Sequence, residues 1–577
     1  MTSPAGTRAH DPLEVTVSGG TVRGVRERGI RAWRGIPYAA APVGALRFRS
    51  PAPVQPWSGV RAAAEFGPVA TQSHKGQFIG AHPRIPQSED CLNLNVIAPD
   101  EPADGEALRP VMVFVHGGAY SVGSSRENPR QGEGLVRRGG IVYVGINYRL
   151  GALGYLDFTR YSTPERPFES NLGLRDQVAA LAWVRANIRL FGGDPDAVTL
   201  FGESAGGNAV TTLMTVPAAA GLFQRAIAQS APPNAVYPPE LTGEWAASFV
   251  RILADQTSSA PDVAARVHPA AQRFTDQQPA AQHDAVSQLD AVSQHSAGAD
   301  HAAAERPGDT TPAEPPILSG LTNAEAVRLL LEAEPARLAG ATTTLTVRSP
   351  DLYPGTIPLC PVIDGDFLPE RPLDAFRDGR AHRIPLIIGT NEREGSLFSG
   401  RIDILASTPL RMRAVFANTK KKARKALKAQ YPGIPAPRAA LDFGGDYSFW
   451  YPSVKVAERH SRYAPVHFYR FDAAPRLLRR MGLDATHGLE LFPLFDRLDG
   501  WFGRGMTVLG GRRAFKAIGA RMQVWWLGFA RTGTPDAGWP AYTEADRLTL
   551  IIDTRDRVVS DPHAERRVAW GAFVPHV

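Results

Sequence analysis

The chain has 577 residues, of which 43 % are apolar and 21 % charged, a balance that excludes a disordered, core-poor protein. Its 64 basic and 57 acidic side chains leave a net charge of +7, too thinly spread over so large a surface to signal a nucleic-acid partner. Cys91 and Cys360 are the only cysteines, which excludes a disulfide framework and a thiolate metal site.

The first twenty residues, MTSPAGTRAHDPLEVTVSGG, hold no apolar run of the signal-peptide type, and nowhere do 18 uncharged apolar residues follow one another. The expectation is a soluble, cytoplasmic protein with no membrane partner, a monomer or weak homo-oligomer. From Leu13 to Val25 apolar and polar residues alternate around Ser18-Gly19-Gly20, which predicts a small antiparallel hairpin because glycine tolerates the positive φ of such turns. Downstream the pattern changes to continuous apolar runs, Val111 to Val115, Ile141 to Ile146 and Val198 to Phe201, which suit strands covered on both faces. Between the last two, Val178, Leu181, Val184 and Ile188 recur at helical spacing and Gly192-Gly193 supplies a stop, a βαβ crossover.

Further strands are predicted at Ala226 to Ala228, Ile384 to Ile388, Val466 to Phe471 and Leu548 to Ile552. A late helix should carry Phe515, Ile518, Met522, Trp525 and Phe529. Strands alternating with helices argue a single α/β domain over 1–577 with a large, mostly parallel sheet covered by helices on both faces. Residues 255–316 break the pattern. They are rich in Ala, Gln, His, Asp and Pro and repeat the motif DAVSQ, so they read as a mobile low-complexity insertion. Its His268, His283, His295 and His301 are irregularly spaced in polar surroundings, which argues against a metal site. Eight basic and no acidic residues lie between Arg411 and Lys428; without interleaved aromatics they read as a solvated helix face, with steering of anionic substrates as the alternative.

Chemistry concentrates where strands end. Gly202-Glu203-Ser204-Ala205-Gly206 is the one GxSxG, placed where an apolar strand meets a helix. Its glycines permit a turn tight enough to lift the Ser204 hydroxyl clear, with a helix N-terminus behind it; the alternative is a glycine-rich cap without chemistry. His116-Gly117-Gly118-Ala119-Tyr120 follows another buried strand. With Ala205, the amides of Gly118 and Ala119 suit an oxyanion hole, against an ordinary glycine turn. A serine hydroxyl needs a base, and the order Ser, acid, His directs the search to the C-terminal part. Residue chemistry leaves His487 and His563 open as the base, and Glu392 and Glu394 as the acid.

Several motifs together resemble the type B carboxylesterases, the branch of the α/β-hydrolases that includes the cholinesterases. They are Arg34-Gly-Ile-Pro-Tyr38, Leu46-Arg-Phe48, Ser88-Glu-Asp-Cys-Leu-Asn-Leu-Asn95, Asn147-Tyr-Arg-Leu-Gly151, Gly173-Leu-Arg-Asp-Gln177, Phe201 to Gly207, Gly389 to Gly395, His487-Gly488, Phe529 to Gly533 and Trp539-Pro540. The resemblance spans nearly the whole length. It implies an α/β-hydrolase fold and a serine ester hydrolase acting on small to medium uncharged esters through an acyl-enzyme, without cofactor or metal. By resemblance Ser204 is the nucleophile, His487 the base and Glu394 its orienting acid. Gly118, Ala119 and Ala205 fall at the oxyanion-hole positions, and Arg47 with Glu89 and Arg149 with Asp176 at structural ion pairs. An amidase or carbamate hydrolase would use the same residues, and a binding scaffold would keep the fold alone. Cys91 falls at a half-cystine position whose partner position, near Ala70, is not a cysteine, so that loop closure should be absent. Residues 71–90 hold no Trp, so the ring that grips choline through its π face in cholinesterases is missing.

Overall fold

Along Arg109–Val115 successive side chains enter different cores: Val111, Val113 and Val115 pack into one, Met112 and Phe114 into the other. That alternation is what a strand covered on both faces must show. The computed structural model describes residues 13–73, 80–101, 107–127, 131–258, 321–399 and 403–573. Its strands are β1 (Glu14–Val17), β2 (Gly20–Arg23), β3 (Val25–Glu27), β4 (Ile30–Pro37), β5 (Val60–Ala62), β6 (Asn93–Pro99), β7 (Arg109–Val115), β8 (Val142–Ile146), β9 (Gly193–Glu203), β10 (Arg225–Gln229), β11 (Leu386–Asn391), β12 (Val466–Phe471), β13 (Leu548–Ile552) and β14 (Arg557–Ser560).

Eleven strands form one sheet in the order β14-β13-β12-β11-β10-β9-β7-β8-β6-β4-β3. Every pair from β8 through β13 is parallel, and antiparallel strands close both edges. This is the α/β-hydrolase arrangement expected from the sequence. The N-terminal hairpin β1-β2 is present, and β5 joins it in parallel to make a separate three-stranded sheet. The antiparallel wing of β6, β4 and β3 went unread in the sequence.

Helix Leu172–Asn187 lays Leu174, Leu181 and Val184 on one face of the large sheet. Helix Arg512–Thr532 covers the other with Phe515, Ile518, Met522, Trp526 and Phe529. The buried stripe therefore passes through Trp526, while Trp525, the residue expected there, sits half-buried at its edge. Spacings of three, four, four and three keep one face of a 3.6-residue helix. Strand β11 begins two residues later than the apolar run, after Pro385, whose ring nitrogen has no hydrogen to give a sheet ladder.

Residues 255–258 continue the helix Pro239–Ser258, and the rest of the 255–316 segment, with its four histidines, lies outside the described residues. Cys91 and Cys360 are both free and buried. The two ion pairs implied by resemblance are formed. Arg149 grips Asp176 with two bonds of 2.8 and 2.6 Å, and Arg47 Nε donates to Glu89 at 2.8 Å while its Nη1 reaches the carbonyls of Leu331 and Ala333. Buried arginines with these many acceptors fasten loops, since an unpaired charge there would be costly.

Candidate active site

At the C-terminal end of β9 the chain turns sharply into helix Ala205–Leu213, and Ser204 sits in the turn at φ 59° and ψ −124°. Few non-glycine residues hold a positive φ unless their surroundings enforce it. Here the Ser204 amide donates to the Gln229 carbonyl of neighbouring β10 at 2.9 Å. The glycines on either side are needed for packing. A Cβ on Gly206 would stand 2.1 Å from the Val115 carbonyl oxygen, and one on Gly202 would stand 2.6 Å from Gly206.

After β7 the chain passes directly beside this turn. A Cβ on Gly117 would lie 2.9 Å from Cβ of Ser204 and 2.5 Å from the Glu203 carbonyl oxygen. Gly118, Ala119 and Tyr120 then hold φ of 123°, 50° and 54°, a run of left-handed residues that aims consecutive amides to one side. The amides of Gly118 and Ala119 donate to no acceptor among the described residues, and Ala205 opens a helix whose first amides lack intrahelical partners. Among the contacts that hold the loop, Tyr120 Oη donates to Asn208 at 2.7 Å and its ring stacks on Tyr155 at 3.9 Å, while the His116 ring stacks on Tyr148 at 4.4 Å.

The third component comes from β11 and β12, which lie side by side. Beyond their ends an isolated parallel bridge pairs Arg393 with Thr486, so the next residues, Glu394 and His487, are neighbours. His487 Nδ1 donates to Glu394 Oε2 at 2.5 Å, and the other Glu394 oxygen accepts the Asn391 amide at 2.6 Å. His487 Nε2 is buried and hydrogen-bonds to no described residue, Ser204 included; it lies 3.4 Å from Glu203 Oε1. Glu203 immediately precedes Ser204, and a Cβ on Gly488 would stand 3.1 Å from the same Oε1. The imidazole therefore flanks the turn that carries Ser204. In unliganded sites the bond from nucleophile to base is often open.

The sequence pattern of the Carboxylesterase family matches residues 11–263 and 313–570. The chain belongs to this family. It is 33 % identical over 557 residues to the para-nitrobenzyl esterase of Bacillus subtilis (strain 168), covering 96 % of this chain and 97 % of that one. It is also 30 % identical to the fumonisin B1 esterase of Sphingopyxis macrogoltabida, over 93 % of this chain and 86 % of the other. A solved PNB esterase structure superimposes with a TM-score of 0.76 at 31 % identity, covering 98 % of this chain and all of the other. The protein is an esterase.

In this carboxylesterase the His487 imidazole is surrounded by negative charge. Burial alone would lower the His487 pKa, but Glu394, Glu203 and Glu490 together outweigh it and raise the value to about 9. Glu490, fully buried, is pushed up to about 8, first by burial and then by Glu203 and Glu394. It accepts from Asn391 Nδ2 at 2.6 Å and lies 3.4 Å from Gln229 Nε2. Rings of Phe449 and Phe398 pack on the imidazole with centroids at 4.6 and 5.1 Å.

The remaining candidates lie apart. Glu392 is exposed. His563 stands at the start of the last helix with Nε2 2.5 Å from Arg470 Nη1, and burial, followed by Arg470 and Arg566, drives its pKa down to about 3. The esterase has no group of three or more His, Cys, Asp or Glu placed to hold a metal among the described residues. Sequence reasoning passed over Glu203, Glu490 and Arg393. The first two stand inside the quoted motifs, Gly-Glu203-Ser and His487-Gly-Leu-Glu490, and an acid beside each reactive residue was the available signal.

Proposed function

We propose that the protein hydrolyses small to medium uncharged carboxylic esters by acyl transfer to Ser204. His487 Nε2 takes the hydroxyl proton as Oγ attacks the ester carbonyl. Amides of Gly118, Ala119 and Ala205 receive the oxyanion, and Glu394 holds the imidazolium through Nδ1. The proton then passes to the leaving alcohol, and water repeats the cycle to release the acid. What carries the reading is the His487–Glu394 bond beside the strained Ser204 turn, with Nε2 making no hydrogen bond to a described residue and two loop amides without an acceptor among them. The apolar rings of Phe398 and Phe449 against the imidazole favour uncharged groups around the reacting carbon. The relative named a para-nitrobenzyl esterase suggests an aryl-alkyl ester as the first substrate to assay.

Ser204→Ala should lower kcat by about a million-fold with the melting temperature preserved. An organophosphonate probe should label the wild type at Ser204 alone. Label on any other residue, or a variant that keeps most of its activity, would remove Ser204 from the role.

A further inference from the structure

Five of the large apolar side chains that the described surface exposes fall between residues 481 and 509. Four of them occupy one loop. Residues 500–511 leave and return at the same place, because Asp499 pairs with Arg512 and also with Lys516 at 2.8 Å. The loop begins with the short helix Trp501–Met506 and presents Trp501, 85 % exposed, Phe502, 49 %, Val508, 69 %, and Leu509, 39 %. Phe502 stacks on half-buried Phe492 at 5.2 Å, and Trp501 stands edge-on to Phe502 at 5.7 Å. The aromatic pair is thus supported from below and open above.

The surroundings are basic. Arg504 lies within the loop and Arg513 at its end, and Arg476 Nη1 comes within 3.8 Å of where a Cβ on Gly510 would stand. Arg479 and Arg480 extend the same short helix as Arg476. All five arginines are exposed, and none forms an ion pair among the described residues. Of the neighbouring acids, Asp499 is engaged at the base of the loop, Glu392 lies within electrostatic reach of Arg479, and Asp496 precedes the loop, so the five arginines outnumber them.

We propose that this face docks on an anionic phospholipid surface. Trp501, Phe502, Val508 and Leu509 enter the boundary between headgroups and acyl chains while the arginines meet lipid phosphates. Indole and phenyl rings beside arginine are the side chains that settle at that boundary. A second copy of the chain fits less well, since a two-fold contact through this patch would set the same unpaired arginines against themselves. The contact is peripheral, for no described helix is long and apolar enough to cross a membrane.

The test is co-sedimentation of the full chain with vesicles of phosphatidylcholine alone or containing one-third phosphatidylglycerol. The wild type should pellet with the anionic vesicles and be released by high salt. Trp501→Ser combined with Val508→Ser should weaken that binding by about tenfold or more, and Arg504→Glu with Arg513→Glu by a similar factor. Both variants should hydrolyse a water-soluble short-chain ester at the wild-type rate, which separates loss of docking from loss of fold. Wild type left in the supernatant, equal binding to neutral vesicles, or full binding by either variant overturns the proposal. So does a lipid-free wild-type dimer that the apolar variant converts to monomer.

Discussion

Glu490 makes one carboxyl responsible for two pH dependences. In the fold it keeps its proton up to about 8, against 4.5 when free, so the native state binds more protons than the unfolded chain between those values. Stability from this group is therefore fully present below the free value and falls as pH rises toward 8. His487 acts in the same direction: raised from 6.5 to about 9, it contributes stability that is complete below 6.5 and lost as pH climbs through 9. The wild type should accordingly melt at lower temperature at pH 9 than at pH 6. Glu490→Gln keeps an amide partner for Asn391 without the buried charge, so its melting temperature should depend less on pH. Catalysis by the proposed mechanism should show the opposite slope, because the imidazole must lose its proton to act as a base. The rising limb of kcat/KM should lie on the alkaline side of 6.5, whereas a histidine read from sequence alone would put it near pH 6 to 7. Removing the Glu490 charge should move that limb back toward acid. A limb that stays in place would dissociate Glu490 from the base.

Among the elements, the clip beyond β11 and β12 positions Glu394 and His487, the acid and base of the proposed mechanism. Arg393, 9 % exposed, reaches Asp442 and Asp484 at 2.8 Å each and accepts its backbone place from Ala485, whose carbonyl takes the Arg393 amide at 3.1 Å. Ser396 Oγ donates to Thr486 Oγ1 across the same gap at 2.8 Å. Arg393→Ala takes from Asp442 its arginine and leaves Asp484 to Arg438 alone, and should cost about 1 to 3 kcal/mol of stability. It should lower kcat by roughly a hundredfold by displacing His487, with KM changed far less. Chemical denaturation and steady-state kinetics measure the two effects separately. This clip also explains what could not be read from the chain. The bounds of β12 and β13 follow from their own apolar runs, and the turn at Ser204 from its glycines. The choice between Glu392 and Glu394 depends on which side chain faces a histidine 93 residues further on. Only the adjacency of β11 and β12 decides that, and no local pattern encodes which strands become neighbours. Resemblance chose the pair that geometry joins; the carboxylates Glu203 and Glu490 gave no periodic signal because their role is electrical.

For the whole molecule, the residues that approach one another do so at the C-terminal ends of β7, β9, β11 and β12, near the middle of the sheet. Ligand sites of open parallel sheets are expected at such strand ends. Residues 264–312 lie outside both stretches matched by the family pattern and have the composition of a chain without a core of its own. Replacing them with a short Gly-Ser linker should leave kcat/KM within about twofold and the melting temperature nearly unchanged, since loop length alters closure entropy only slowly. A variant that fails to fold or loses ester hydrolysis would give this segment a structural duty.

The clip closes on a single glycine. Between its two halves the helix Pro437–Gly445 packs directly against Gly395, where a Cβ would stand 1.8 Å from the Leu441 carbonyl oxygen. Arg438 on the same helix also pairs with Asp484 at 2.9 Å. One added methyl at position 395 would therefore wedge this helix away from the loop that bears Glu394 and tilt the imidazole's partner without touching the imidazole.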